Sequence, residues 1–246
     1  KTSVADLFYQ ILRLNNVPVA SIGTLGIKYN GKKEKSDLTS PSAIELHRVL
    51  EKIKKKGIDN VIIETSSHGI HQKRVNHINF KAGIFTNFSQ DHLDYHKTMR
   101  SYLNIKLKLF KDIISPKKTL ISDKSIKEFQ ILEKISKKKQ FRLIEINLIK
   151  KKLSKIKDLG FNEFQLKNLS MAFAAAKICK LKEKRILASI TKIKDVDGRL
   201  QLVKTFSNNI KTYVDFAHTP DALKKSIIAL KKFHGDNISL VFGCGG

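Results

Sequence analysis

Acidic residues are scarce in this 246-residue chain: 22 Asp and Glu stand against 48 Lys and Arg, for a formal net charge of +26 at pH 7. Such an imbalance would ordinarily point to a polyanion such as nucleic acid. Here the excess is mostly lysine, runs along the whole chain and comes with abundant Ile and Asn, the compositional habit of an A+T-rich coding sequence. The densest basic run, Lys150 to Lys157, is poorly patterned and has no exposed aromatics for base stacking, so no specific nucleic-acid partner is expected. Cysteine is scarce too. Cys179 and Cys244 have neither metal-ligand spacing nor a disulfide framework, which fits a reducing compartment. No apolar run approaches bilayer length and no signal peptide opens the chain, so membrane insertion is not expected and the cytoplasm is the default.

What is present suffices for a real core, since 41% of the residues are hydrophobic, and the length allows one large domain or one domain and part of another. Lys1-Thr2-Ser3 runs straight into a helical pattern through Leu7, Ile11, Leu12 and Leu14. That start looks cut inside a phosphate-binding loop, in which a lysine reaches the β/γ-phosphates and a hydroxyl binds magnesium. Val17–Ile22 reads as a buried strand, Lys28–Lys35 as a polar hairpin or loop, and Thr39-Ser40-Pro41 as a helix start with Ser40 the candidate N-cap. The helix carries Ala43, Leu46, Val49, Leu50 and Ile53 on its apolar face and ends at Gly57. Asn60–Thr65 is a β-branched run typical of a parallel strand covered on both faces, and it ends on Glu64. Ala82–Thr86 is the next strand, leading to Asn87, Asp91 and His92. Ligands of open parallel sheets bind beyond the carboxyl ends of the strands. Glu64, His92 and a lysine-bearing helix therefore converge on one site, or else Glu64 pairs with a surface lysine and His92 caps a helix.

That lysine is Lys106. Met99, Leu103, Lys106, Phe110 and Ile113 recur at steps of three and four, with Tyr102 and Leu109 beside them, as one apolar helical stripe. Lys108 and Lys111 fall on the opposite, solvated side. A buried ammonium costs several kcal/mol, so Lys106 either meets a partner or a chemical modification, or snorkels out past its neighbours.

Further along, Thr119–Ser122 and Phe141–Ile146 read as strands with a lysine-rich helix between them, and Gln165–Lys180 and Lys184–Thr191 as helices. Asp195–Arg199 reads as a linker. Strand Lys211–Phe216, helix Pro220–Phe233 and strand Ile238–Phe242 then form one βαβ unit of a second domain. The alternation predicts an α/β fold with a doubly wound, mostly parallel sheet.

Several phrases resemble the Mur ligase family in the same order: KTS at Lys1, TSP at Thr39, ETSSHGIHQKRV from Glu64, FTNFSQDHLDYH from Phe85, and Lys106 at the family's spacing. FQLKN from Phe164, DGR from Asp197, VDFAHTPDAL from Val214 and FGCGG at the end complete the set. The resemblance implies a P-loop central domain over residues 1–195 and the start of a Rossmann-like C-terminal domain over residues 200–246. It also implies an ATP-dependent ligase that adds a diamino acid, L-lysine or meso-diaminopimelate, to UDP-N-acetylmuramoyl-L-alanyl-D-glutamate through an acyl phosphate. The implied cofactors are ATP, two Mg2+ ions and a CO2-derived carbamate on Lys106. Thr2, Glu64, His92 and carbamylated Lys106 would hold metal, and Lys1 would neutralise the transferring phosphoryl group. Lys1, Thr2, Ser3, Asn168, Arg199, Asp215 and His218 match nucleotide-binding positions, and Thr39, Ser40, Ser66, Gln72 and Arg74 match positions that hold the UDP-sugar dipeptide. A monomer is expected.

The chain departs from the pattern in lacking the glycines of the phosphate loop, the upstream UDP-binding domain and the downstream amino-acid-selecting motif. It is expected to be a fragment that forms no product alone. A folylpolyglutamate-synthetase-like ligase shares the loop, metal site and lysine, but SSHGIHQKRV speaks against it. A basic nucleic-acid-binding module is the alternative from another class.

Overall fold

The structure is a computed structural model that describes residues 1–156 and 159–243; Lys157 of the basic run and the closing Cys244-Gly245-Gly246 lie outside the described residues. Helix α1 (Thr2–Leu14) buries Val4, Leu7, Phe8, Ile11 and Leu12. It feeds β1 (Val19–Gly23) and the hairpin β2 (Gly26–Tyr29) and β3 (Lys32–Glu34). After α2 (Ala43–Lys55) comes β4 (Asn60–Ile63), and the first sheet runs β3-β2-β1-β4, with β1 and β4 parallel and the other pairs antiparallel. The β1–β4 register pairs Ile22 with Ile63, and one more bond, from Glu64 N–H to the Ile22 carbonyl (2.8 Å), carries the ladder onto Glu64 itself.

Short helix α3 (Ser67–His71) precedes β5 (Ala82–Ile84), and α4 (Leu93–His96) precedes α5 (Met99–Lys108), which passes into a π-helical turn at Leu109–Ile113. Then follow β6 (Thr119–Ser122), α6 (Phe129–Lys139) and β7 (Arg142–Glu145), and a fully parallel sheet β5-β6-β7 forms. Helices α7 (Asn147–Leu153), α8 (Glu163–Ile178) and α9 (Glu183–Ile190) complete the first unit. Ala172, Ala174, Ala175 and Ala176 put small side chains on α8, and α1 packs with them and Phe173 in one apolar cluster. The mixed α/β architecture with parallel strands is the one expected. Among the described residues no helix is long and apolar enough to cross a membrane.

Three expectations need correction. The stripe on α5 is not the one read from the spacing: Tyr102, Ile105, Leu107, Phe110 and Ile114 are buried, whereas Met99, Leu103 and Ile113 are only half-buried. The π-helical turn adds a residue to the turn and rotates everything after Lys108. Gly83 on β5 makes room for it, because a Cβ there would lie 2.6 Å from Phe110 Cε1. Next, the cap of α2 is Ser42, whose hydroxyl accepts from Glu45 N–H (3.3 Å), and not Ser40. Finally, among the described residues the expected βαβ unit over Lys211–Phe242 lacks its second strand. Strand β8 (Gln201–Thr205), which the pattern did not reveal, pairs antiparallel with β9 (Lys211–Val214) ahead of α10 (Pro220–His234). Ile238–Phe242 has no ladder partner among the described residues and leaves Val241 98% exposed. A strand is stable only where a neighbour accepts its hydrogen bonds, and propensity alone does not make one.

Replacing each of the two serines separates their roles. Ser42→Ala removes a cap and is expected to cost about 1 kcal/mol. Ser40→Ala strands buried backbone groups and is expected to cost about 1–3 kcal/mol. Urea unfolding checks this, and equal costs would show that Ser40 is no more than a capping group.

Candidate active site

Glu64 sits at the carboxyl edge where β1 and β4 end, only 5% exposed. Its Oε1 accepts from the Thr2 hydroxyl (3.0 Å) and its Oε2 from the Thr24 N–H (3.0 Å). Gly23 makes this possible, since a Cβ there would stand 2.7 Å from Glu64 Oε2. Burial pushes the carboxyl up, and the charge of the Lys1 side chain together with the Thr24 and Thr2 hydrogen bonds pulls it down. Thr2 Oγ1 also accepts from Arg199 Nη2 (2.9 Å), so a hydroxyl at the start of α1 links a buried carboxylate to a guanidinium from the linker before β8. Arg199 lies over the Phe216 ring, 4.8 Å from its centroid. Hydroxyl and carboxylate oxygens of this kind suit Mg2+.

Ser40 is 1% exposed, and its side chain is occupied within the protein. The hydroxyl donates to the Glu64 carbonyl (3.0 Å) and accepts from Ser66 N–H (3.0 Å). Gly69 of α3 lies so close that a Cβ would be 2.8 Å from Ser40 Cβ. Ser66 caps α3 by accepting from Gly69 N–H (3.0 Å). Arg74 donates to the Ser40 carbonyl (2.8 Å) and to the Gln72 side chain. Thr39 meets Thr24 through their hydroxyls (3.1 Å). Thr39, Ser40, Ser66, Gln72 and Arg74 thus form one connected surface beside Glu64.

Lys106 stands where the two sheets' cores meet: Ile105 packs into the cluster of the first sheet and Leu107 into that of the second. Its Nζ donates to the Asn87 carbonyl (2.8 Å) and lies 5.2–5.7 Å from the centroids of Tyr102, Phe85 and Phe88. Burial first, and the positive charge of Lys1 second, push the Lys106 amine down to about 7, against opposing pulls from Glu128 and Asp91. By solvent exposure the side chain is half-buried, with its amine turned to the Asn87 carbonyl. His92 has a left-handed backbone (φ 54°) and a ring 5.0 Å from His68 and 6.1 Å from Tyr102, so it borders the same tyrosine as Lys106. Asp91 Oδ2 lies 3.4 Å from His92 Nε2. His96 is buried, stacks on Tyr102 (5.0 Å, 18°) and bonds through Nε2 with the Ser67 hydroxyl (2.9 Å). Burial, reinforced by neighbouring histidines, holds both His68 and His96 below the usual imidazole value. Among the described residues no three His, Cys, Asp or Glu side chains gather as a ready metal cluster.

Of the remaining expected residues, Ser3 and Asn168 are half-buried on α1 and α8. His218 approaches Asp91, with Nε2 3.8 Å from Oδ1. Asp215 turns inward: Oδ1 accepts from Leu200 N–H (3.2 Å) and Oδ2 from the Ser226 hydroxyl, so it braces β8 and α10. Sequence reading did not single out Gly23 and Thr24, which local pattern marks only as the end of a strand, and it placed Tyr102 beside the apolar stripe, where it is indeed buried.

The depressed Lys106 amine has a consequence for stability. An unfolded chain keeps this proton up to about 10.5, whereas the folded one releases it near 7, so wild-type stability rises with pH between those values. Lys106→Met carries no such term. In CO2-free buffer its advantage over wild type is expected to grow as pH falls from 10.5 to about 7 and to stay level below that. An advantage independent of pH would show that the ammonium is not desolvated.

Residues 1–193 match the family model described as Mur ligase middle domain, and residues 198–246 match that described as Mur ligase, glutamate ligase domain. A protein of Wigglesworthia glossinidia brevipalpis named UDP-N-acetylmuramoyl-L-alanyl-D-glutamate–2,6-diaminopimelate ligase is 36% identical, over 100% of this chain and 54% of its own length. One of the same name from Rickettsia bellii is 32% identical, over 100% of this chain and 57% of its own. The chain spans about half the length of the curated relatives it matches. A solved ligase structure of that name superposes with a TM-score of 0.75 at 22% identity, covering 100% of this chain and 54% of that one. A folylpolyglutamate synthase complex with AMPPCP and folate superposes at 0.68 with 14% identity, covering 97% and 70%, a likeness of fold alone. With a Glu64–Thr2–Arg199 link at the sheet edge and family models matching 1–193 and 198–246, the chain belongs to the Mur ligase family.

Proposed function

We propose that this chain carries the nucleotide and acyl-activating machinery of a ligase that joins 2,6-diaminopimelate to UDP-N-acetylmuramoyl-L-alanyl-D-glutamate at the expense of ATP. The relatives' names support these substrates, and the 2,6-diaminopimelate in them favours that amino acid over lysine. The observation that carries the chemistry is the Thr2 hydroxyl set between Glu64 and Arg199. It gathers at one point the oxygen donors of a magnesium site and a guanidinium fit for phosphate. Residues 1–195 act as the nucleotide domain and residues 200–246 belong to the C-terminal one.

In this reading the γ-phosphoryl group of ATP passes to a substrate carboxylate, giving an acyl phosphate and ADP. The amine of the amino acid then attacks the acyl carbon, and phosphate leaves from a tetrahedral intermediate. Lys1 and Arg199 balance charge on the phosphates, and Asn168 and His218 lie on the nucleotide side. Asp215 holds the second unit in shape rather than touching nucleotide. Thr39, Ser66, Gln72 and Arg74 face the UDP-sugar dipeptide, while Ser40 ties their loops to Glu64. Magnesium, when bound, draws charge from the phosphoryl and carboxylate oxygens. Thr2 and Glu64 would hold one ion. His92 and Lys106, the latter as its CO2-derived carbamate, would hold the other. An amine near neutrality inside an apolar seam is the form that CO2 can modify, and the product is an anion suited to a metal.

Turnover in the intact protein tests this. ADP release should require the UDP-linked dipeptide and 2,6-diaminopimelate together, and Lys106→Met and Lys106→Arg should each lower it about 10²-fold or more while the fold persists. Arginine should do no better than methionine, because it sets a fixed cation where a metal belongs. Near-normal turnover of Lys106→Arg, or ADP release driven by a folate and glutamate instead, would contradict the proposal.

A further inference from the structure

Beyond Thr2, one face of α1 carries polar groups that the reaction does not use. Thr2, Asp6 and Gln10 recur at steps of four and so line up along the helix. Asp6 is buried and its two oxygens are divided: Oδ1 pairs with Lys28 Nζ of β2 (2.7 Å), and Oδ2 accepts from Gln10 Nε2 (2.8 Å). A carboxylate offers acceptors only, so this contact fixes which way round the Gln10 amide lies. The amide then meets the backbone of Lys194 twice. Its Oε1 accepts from Lys194 N–H (2.9 Å) and its Nε2 donates to the Lys194 carbonyl (3.1 Å). Lys194 stands in the linker between α9 and β8, where Ile193 and Val196 pack into the same apolar cluster as Leu7 and Ile11.

From Lys194 the linker runs back along α1, because Arg199 donates to the Thr2 hydroxyl (2.9 Å) at the start of that helix. The rise from Thr2 to Gln10 on α1 is about 12 Å, and the chain from Lys194 to Arg199 can reach at most about 17 Å. A turn takes up part of that reach, closed by Arg199 N–H on the Val196 carbonyl (2.9 Å). A slip of Lys194 along α1 would therefore carry Arg199 off Thr2. We propose that Gln10 is a positioning residue: with Asp6 and Lys28 behind it, it fixes the register of the linker on α1 and so delivers the Arg199 guanidinium to the phosphate side of the site. Resting on the reading of Arg199 given above, this adds what holds the guanidinium in place. An amide that donates and accepts at once matches the N–H and C=O of one backbone residue, which neither a carboxylate nor an apolar side chain of the same length can do.

The test is a double-mutant cycle in the intact protein, read as the affinity for AMPPNP with Mg2+. Gln10→Met keeps the length of the side chain and removes both bonds to Lys194, and it is expected to weaken nucleotide binding about fivefold. Arg199→Met should weaken it at least as much. In the Arg199→Met background Gln10→Met should add no more than about twofold, because both act through one guanidinium; a side chain that only stabilised the fold would give independent losses that multiply. Hydrogen exchange at the Lys194 amide should quicken in Gln10→Met, since Gln10 is its acceptor. Lys194→Pro removes the linker's N–H without touching α1, and it decides the matter if Gln10→Met does not fold. Full nucleotide affinity in Gln10→Met, or losses that multiply, overturn the role of Gln10. Full affinity in Arg199→Met overturns the reading of Arg199 itself, and the role of Gln10 with it.

Discussion

A carboxylate at the end of a strand, shut away from water yet kept charged, is the constraint on which the site depends. Glu64 is 5% exposed, and an ionised carboxylate survives such burial only if its oxygens are hydrogen-bonded and positive charge is near. Each requirement draws in a different part of the chain. Thr2 brings the start of α1, Thr24 brings the turn after β1, and Ser40 holds the backbone carbonyl of Glu64 itself. Gly23 is there because a side chain would occupy the carboxylate's place. Through Thr2 the arrangement reaches Arg199, so the second unit is coupled to the carboxylate by one hydroxyl.

The second centre follows from how two sheets share one helix. With Ile105 committed to one core and Leu107 to the other, the residue between them is directed into the seam, at the edge to which the parallel strands point. A hydrophobic residue there would simply close the gap. A lysine instead sits with a weakened hold on its proton, between Asn87 and three rings. The π-helical turn after Lys108 lets the same segment bury Phe110 and Ile114 against Gly83, at the cost of breaking the regular helical repeat.

Much of this was legible in the residues. Strongly periodic or β-branched stretches such as Thr2–Leu14, Asn60–Ile63 and Glu163–Ile178 declared their elements, and Glu64, His92 and Lys106 stood out because their chemistry was out of keeping with their surroundings. What was hidden is what depends on partners far along the chain. Ser40 reads as a cap from its neighbours, and only the distant Glu64 and Ser66 make it a buried brace. Local spacing could not show the π-helical turn, so the stripe was drawn through Leu103 and Ile113 rather than Leu107 and Ile114. Ile238–Phe242 has strand-like residues but no ladder to join among the described residues, while the less regular Gln201–Thr205 found one in β9.

The central claim is that buried Glu64, with Thr2, is the anchor for a magnesium–nucleotide complex. Its most direct measurement is the affinity of the intact protein for Mn2+ in the presence of AMPPNP, read from paramagnetic water relaxation, in wild type and in Glu64→Gln. Glutamine keeps the shape; its oxygen can accept from Thr24 N–H while its amide N–H donates to the Thr2 hydroxyl, so the fold should persist while the charge is lost. The account predicts an affinity for the metal–nucleotide pair reduced about tenfold or more. Equal affinity in the two proteins would contradict it.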